Sequence, residues 1–321
     1  MKNVQRNEKI IFAISMIFVV IVVLAFTSIL VRCENQTRID VPIIPGNVKI
    51  QTSTDVELTK KVNDFYQQWY IKKVMDLYYE SWKDKLTYYN SALSKVKITE
   101  QQYPWLYQIV KAASVGIGIE MPDTFVVLSD SPNAYIAGVN QPILVIHSHL
   151  IELLNPKTQP EELLFIIGQQ LAHIKFQHLL ARDVVETTYY ALEFIPTELL
   201  RGAITNLALL SFLKWSREAV ISADRVGMIL VNSEEIASRT LIKLTSGLDE
   251  AFKINVEDFL SNCQIKEFDL VQTIVLLKEL NSTHPFICNR VEALRQYKNS
   301  PEFAEIISSF KDNQRIYLQF R

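Results

Sequence analysis

The sequence predicts an α+β fold that is predominantly helical with a small sheet, preceded by one N-terminal transmembrane helix. Three observations carry this expectation. Ile10 to Val31 is a run without a single charged side chain. Long downstream segments repeat apolar residues every three to four positions, the period of a helix with one buried face. Between them stand two short runs rich in β-branched and aromatic residues, Thr124–Leu128 and Ile143–Ile146, which read as strands. Eight glycines in 321 residues, with 49% hydrophobic and 21% charged side chains, fit a folded, helix-rich chain.

The apolar run follows a nine-residue tail. At about 1.5 Å rise per residue, residues 10–31 are long enough to cross a bilayer core as a helix. Lys2, Arg6 and Lys9 precede it against Glu8, whereas Arg32, Glu34, Arg38 and Asp40 follow it and cancel. The positive-inside bias therefore puts the N-terminus in the cytoplasm and the main domain on the extracytoplasmic side. A cleaved signal peptide would have a shorter apolar core and a small-x-small cleavage site, so the run is read as an uncleaved anchor. Arg32 before Cys33 spoils a lipoprotein signal. Asn35-Gln36-Thr37 and Asn281-Ser282-Thr283 are glycosylation sequons, meaningful only in a eukaryotic lumen.

Residues 32–54 read as a linker because Pro42, Pro45 and Gly46 interrupt regular structure. From residue 55 to the end, one domain is expected. Asp55 to about Ser94 forms one or two helices, with Val62, Phe65, Trp69, Val74, Leu77, Trp82 and Leu86 at helical spacing. Thr99-x-x-Gln102 has the form of a capping box for a helix running past Tyr107. The two strands follow, separated by turn chemistry at Asp130–Asn133 and Gly138. Thr158-x-x-Glu161, with Pro160 in the first turn, starts a helix expected to run to about Asp183. A further helix covers roughly Thr205 to Leu230. Its apolar stretch from Ala203 to Leu213 is too short to span a bilayer and suits a core helix or one lying on the bilayer surface. The C-terminal part is helical with breaks near Gly247 and at His284-Pro285.

The formal net charge of −2 gives no electrostatic case for nucleic acid. Cys33, Cys263 and Cys288 match no metal-ligand spacing. Cys263 and Cys288 could pair only if the fold brought them together, and they are read as ordinary buried thiols.

The chemistry centres on Gly168-Gln169-Gln170-Leu171-Ala172-His173-Ile174. A zinc-protease helix would carry His-Glu-x-x-His, with two histidines one turn apart on the metal and the glutamate as general base. Here Gln169 takes the first histidine position and Gln170 the base position, while His173 keeps the second histidine. His178 lies about 140° further round a continuous helix and would face elsewhere. His147 and His149 are two apart on a strand and would share a face.

From about residue 96 to 300 the chain resembles metallopeptidase family 48, the HtpX-like, membrane-associated gluzincins. Asn133-Ala134-Tyr135-Ile136-Ala137-Gly138 is similar to the family's Asn-Ala-x-x-x-Gly turn. Leu144–Ile146 and Leu150–Leu154 are similar to its next strand and helix, and Glu161–Leu164 leads into the motif helix. Trp215-Ser216-Arg217 and Ser222–Gly227 are similar to the helix that bears the third zinc ligand. Thr283-His284-Pro285, with Arg290 and Leu294, is similar to the family's late His-Pro segment. The resemblance implies a zincin-like metallopeptidase fold.

It also implies where the zinc chemistry would sit. Counting back from Ala223-Asp224, the third ligand position is Val220. The resemblance therefore places two of three ligand positions at Gln169 and Val220 and the base at Gln170. No catalytic residue, metal ligand or cofactor is expected, because a carboxamide binds zinc poorly and valine not at all. Gly168, Asn133, Gly138, Asp224, His284 and Arg290 are expected to be structural, with Asp224 bonding between helices. Three readings follow: a membrane-anchored pseudopeptidase that binds a polypeptide or partner subunit, an active zinc endopeptidase with atypical ligands (zinc then being its cofactor, with His147 and His149 as substitute donors), and a structural subunit of a membrane complex. In the first, the rim of the cleft would be an edge strand near Ile143–Ser148.

Overall fold

Strand-forming residues come early and late in the sheet region, and a computed structural model shows how they pair. It describes residues 38–46, 48–156, 158–184, 198–248, 253–263, 278–280, 282–310 and 315–319. The apolar run 10–31, the sequon Asn35–Thr37 and Asn281 of the second sequon lie outside them, and among the described residues no helix is long and apolar enough to cross a membrane. One unit spans Ile39–Tyr317; of the other, residues 1–38 with 318–321, only the outer ends of two strands are described.

The elements run β1 (Arg38–Pro42), α1 (Ser53–Tyr66), α2 (Trp69–Tyr78), a π-helical turn (Tyr79–Lys83), α3 (Asp84–Ser94), β2 (Val96–Lys97), α4 (Pro104–Ile117), β3 (Asp123–Val127), β4 (Ala134–Ala137), β5 (Ile143–His147), α5 (Ser148–Leu154), α6 (Pro160–Lys175), α7 (Glu198–Val231), α8 (Glu234–Ser246), α9 (Val256–Cys263), α10 (Ile287–Lys298), α11 (Pro301–Ser309) and β6 (Arg315–Gln319). The expected α+β class, mostly helical with a small sheet, is what the chain adopts.

The four-stranded sheet has the order β2-β3-β5-β4. β3 and β5 are parallel, and both outer pairings are antiparallel. This corrects one expectation. Ile143–His147 is not an edge but a central strand, which is why Ile143 to Ile146 are all buried. The edge is β4, within the stretch read as turn between the two strands. Its Ala134 and Ile136 are buried while Tyr135 points outward, the alternation of a half-covered strand. Gly138 ends it with φ +85°, where a side chain would collide with the Gln141 carbonyl. The turn so formed presents three backbone amides, Val139, Asn140 and Gln141, to the buried Asp84 carboxylate at 2.9, 2.7 and 3.2 Å. That carboxylate pins α3 to the β4–β5 turn.

The stretch read as linker contains β1, whose Ile39 and Val41 are buried and which pairs with β6 in a two-stranded sheet. Thr52 caps α1 by accepting from the Asp55 amide at 3.2 Å. The start of α1 is strapped to α7: the Thr52 amide donates to Ser222 Oγ at 3.0 Å and Arg225 Nη1 to the Ile50 carbonyl at 3.0 Å. Both expected capping boxes act differently. Thr99 and Gln102 close a turn before α4, and α4 starts from Tyr103, a residue with φ +58°. The Thr158 hydroxyl donates to the Asn155 carbonyl, and the cap of α6 is Gln159 without a side-chain bond. In both cases Pro at the first helical turn sets the start.

α6 ends at Lys175, not near Asp183. Gln177 takes φ +59° and turns the chain, after which residues 178–184 are helical again. Lys175 Nζ donates to the Ile117 carbonyl at the end of α4. α7 is longer than the expected Thr205–Leu230 and packs along α6. The two cross where glycines meet. A Cβ on Gly168 would lie 2.5 Å from a Leu230 methyl, and one on Gly227 would lie 2.6 Å from the Phe165 carbonyl oxygen. Beside the crossing, Lys243 of α8 donates to Glu162 of α6 at 2.8 Å, both side chains being fully buried.

Cys263 and Cys288 form a disulfide, not two separate thiols. α9 and α10 pack together with their cysteine Cα atoms 5.9 Å apart, within bonding reach, and Arg295 holds Glu257 bidentately across the same junction. Sequence spacing carried no trace of this, because the pairing is made by helix packing.

Two outcomes follow from the packing. Gly227→Ala forces a methyl against backbone and is expected to destabilise the domain by about 1–3 kcal/mol in denaturant unfolding, with Gly168→Ala milder because the Leu230 side chain can give. The double change Cys263→Ser with Cys288→Ser should cost about 3.5 kcal/mol, the loop-closure value for a bridge spanning 25 residues, and should abolish the sensitivity of the unfolding midpoint to dithiothreitol.

Candidate functional site

α6 and α7 cross at their glycines, so the residues next to Gly168 face those one to two turns before Gly227. A cavity of about 510 Å³ opens there, bounded on one side by β4. Gln169, Gln170 and His173 enter from α6, and Trp215 and Val220 from α7. Asn133, His284 and Arg290 complete the wall from the β3–β4 loop, the segment before α10, and α10 itself. Gln169, Gln170, His173 and Val220 and the late His-Pro segment therefore meet at one place. Gly168, Gly138 and Asp224 stand behind the wall as supports.

Asp224 is the junction of three helices. Its buried carboxylate receives Arg290 bidentately, Nε at 2.8 Å and Nη2 at 2.7 Å, and the Gln169 amide at 2.6 Å. The expected bond between helices is thus made twice over. Charge-assisted, two-pronged pairing is the geometry in which a buried carboxylate is least costly. The Gln169 carbonyl oxygen in turn accepts from Gln170 Nε2 at 3.3 Å. Both ends of the Gln169 amide are engaged.

His173 belongs to a second network. The turn at Gln177 brings His178 back, so its Nδ1 lies 2.9 Å from His173 Nδ1. This overturns the expectation that His178 faces elsewhere, which assumed an unbroken helix. His178 Nε2 sits 3.0 Å from the Asp55 carboxylate on α1, and Trp215 packs edge-on against its ring. Asp55 also accepts from Thr59 at 3.0 Å, and Thr59 from Trp215 Nε1 at 2.9 Å. An ionised carboxylate only accepts, so His178 Nε2 donates to Asp55. With one proton on each ring, His178 Nδ1 accepts from His173 Nδ1, and His173 Nε2 is left as an acceptor. Burial holds the His173 pKa well below the usual imidazole value, reinforced by His178 and Arg182. Burial raises the Asp55 carboxyl, but the His178 bond and charge, with Gln51 and Ser222, outweigh it and leave the pKa lowered.

α7 also places the His-Pro segment. Arg217 Nη1 donates to the carbonyls of Glu279, Leu280 and Ser282, each at 3.0 Å, and Ser216 Oγ to the Thr283 carbonyl at 2.9 Å. His284 then reaches the cavity wall, its pKa lowered by burial and by Arg290 against the opposing charge of Asp224.

The remaining histidines lie elsewhere. His147 ends β5, with Nδ1 2.9 Å from the Ser131 carbonyl. His149 is in α5, facing Glu152 at 3.6 Å. They do not share a strand face, because the strand stops between them. Among the described residues no group of three or more His, Cys, Asp or Glu side chains is arranged to hold a metal ion. Sequence reading missed Asp55, His178, Trp215 and Arg182 as site residues. Trp215 had a local signal in the Trp215-Ser216-Arg217 segment, whereas Asp55 joins across 123 residues and had none.

Comparison with known proteins places these segments. Residues 100–298 match peptidase family M48. The plastoglobule-localized metallopeptidase 48 of Arabidopsis thaliana is 24% identical over 226 residues, 67% of this chain and 62% of that protein. A "Protease HtpX homolog" of Methanocaldococcus jannaschii is 31% identical over 120 residues, 37% of this chain and 39% of that protein. The chain thus spans less than two thirds of either relative. The crystal structure of S. mikatae Ste24p covers 75% of this chain and 61% of its own at 15% identity and a TM-score of 0.42. Matched by the family over well more than half its length, this chain belongs to peptidase family M48.

Proposed function

We propose that this chain is a membrane-anchored pseudopeptidase of its family, which holds an extended polypeptide or a segment of a partner subunit in the Gln169–His173 cavity without zinc and without cleaving it. The observation that carries this reading is the state of the motif positions. A zinc ion needs three protein donors and an open position for water. At the three ligand positions stand His173, an amide already bonded at both ends, and the hydrocarbon of Val220. These residues do not fit the ion. Gln170, at the base position, has no proton affinity with which to activate water.

What remains fits polypeptide binding. β4 is the end strand of its sheet and lines the cavity. The His147 amide bonds to the Asn133 carbonyl at 2.9 Å, which fixes the ladder: Tyr135 exchanges its bonds with Val145, and the backbone groups of Ala134 and Ile136 point to the free edge. An extended segment can add there by main-chain bonds, with the cavity taking its side chains. The anchor at residues 10–31 supplies the membrane location.

Purified full-length protein is expected to contain no stoichiometric zinc by metal analysis; a 1:1 zinc content overturns the reading. The triple change Gln169→His, Gln170→Glu, Val220→Glu should confer zinc binding, because the new imidazole at 169 can still donate to Asp224 with one nitrogen while the other faces the metal. Fluorescein-labelled unfolded casein should bind the wild-type protein and remain intact. Ala134→Pro, which removes an amide from the free edge but none from the ladder, should weaken that binding at least tenfold while leaving the thermal midpoint within a few degrees. Cleavage of the casein, or undiminished binding by Ala134→Pro, contradicts the proposal.

A further inference from the structure

Helices α2 and α3, joined through the π-helical turn, form a continuous rod from residue 69 to 94 with a covered face and a bare one. The covered face holds Met75, Tyr79 and Asp84. Tyr79 donates to Asp183 at 2.6 Å, and Lys83 pairs with the same carboxylate. The bare face is apolar. Trp82 is 72% exposed, Leu86 59%, Tyr89 61% and Leu93 86%, with Tyr78 one turn earlier and Val96 of β2 just beyond. At about 100° per residue, Leu86, Tyr89 and Leu93 fall within roughly 60° of arc. They form one stripe, about 20 Å long from Tyr78 to Leu93 at the helical rise.

The charge of this rod differs from that of the chain. The rod, residues 69–94, contains four lysines against three acids, a net +1 in a chain whose net charge is −2, and Lys95 follows it directly. Lys73 and Lys85 are exposed beside the stripe. A stripe of Trp, Tyr and Leu flanked by lysines is the composition of a helix that lies in a bilayer interface, its rings at headgroup depth and its ammonium groups on anionic lipid. The chain also has the means to bring it there. The apolar run ends at Val31 and β1 begins at Arg38, so the connecting residues reach at most about 20 Å even when fully extended. An anchor at residues 10–31 would therefore tether the domain within that reach of a bilayer.

We infer that the Tyr78–Leu93 face is a membrane-docking surface that seats the domain on anionic lipid headgroups. This rests on the anchor at residues 10–31 and is independent of what the Gln169–His173 cavity binds. An exposed stripe of this size in water is a liability for solubility, and a lipid surface within tether reach removes it.

The test uses the full chain reconstituted into vesicles of phosphatidylcholine with phosphatidylglycerol. Nitroxide labels are attached through Leu86→Cys or Leu93→Cys in a Cys33→Ser background, with Glu302→Cys as a solvent-facing control. The expected result is an oxygen-to-nickel accessibility ratio at least twofold higher at 86 and 93 than at 302, falling towards the control in pure phosphatidylcholine and in a Lys73→Glu/Lys85→Glu variant. Water-like accessibility at 86 and 93 in protein that floats with the vesicles overturns the docking surface alone. A full chain that fails to float overturns the anchor and the docking surface together. Spin–spin broadening that rises with protein-to-lipid ratio assigns the stripe to a second copy of the chain and overturns the lipid assignment.

Discussion

The close crossing of α6 and α7 is the constraint on which the rest depends. Ordinary side chains would hold these helices 8–10 Å apart. Glycine at 168 and 227 removes the two methyls that would meet Leu230 and Phe165. Only then does the Gln169 amide lie within 2.6 Å of Asp224, and only then do the β4 edge, α7 and the His-Pro segment border one cavity. The glycines cost helix propensity, roughly 1 kcal/mol each. Burial of Leu163, Leu164, Ile167 and Leu171 on one helix and Ala223, Val226 and Ile229 on the other offsets it.

Buried charge around this crossing is compensated in every case visible among the described residues. Arg290 meets Asp224, Lys243 meets Glu162, and His178 meets Asp55. Breaking one side of such a pair leaves the other buried and uncompensated, which costs far more than the pair contributes. The scaffold therefore has its own reasons to keep Asp224 and Arg290, whether or not a metal stands nearby. The packing alone is thus a sufficient reason for this pair. Gln169 fills the space and makes the bond to Asp224 that the packing requires.

Much of this was legible in the chain. Helical periodicity marked the stretch of α1 to α3, the Thr99-x-x-Gln102 pattern announced a helix after it, and β-branched runs marked β3 and β5. The order of Asn133–Gly138, Gly168–His173, Ser222–Gly227 and His284 marked which segments share the site. The misreadings have common physical causes. β4 was hidden because its four residues, Ala-Tyr-Ile-Ala, sit among turn formers and depend on β5 for their pairing. The end of α6 was hidden because Gln177 adopts a left-handed conformation that its residue type does not announce. The disulfide and the Asp55–His178 contact are products of tertiary packing, with no local pattern to betray them. The apolar residues of α2 and α3 have helical spacing, but that spacing does not tell a buried face from an exposed one. Trp82 and Leu86 instead point outward, and Tyr79, offset by the π-helical turn, takes the inner position.

The strap at the start of α1 bears on the order in which the molecule is made. Thr52 bonds to Ser222, Ile50 to Arg225 and Asp55 to His178, so this early segment is completed by partners 123 to 175 residues later. A ribosome adding about 5–20 residues per second needs on the order of ten to thirty seconds to supply them. Throughout that interval Asp55 has no imidazole and Thr59 no indole to meet. Helix α1 is thus synthesised early but is among the last to find its place, and the site closes only when the chain's last third, with Val220, His284 and Arg290, has arrived.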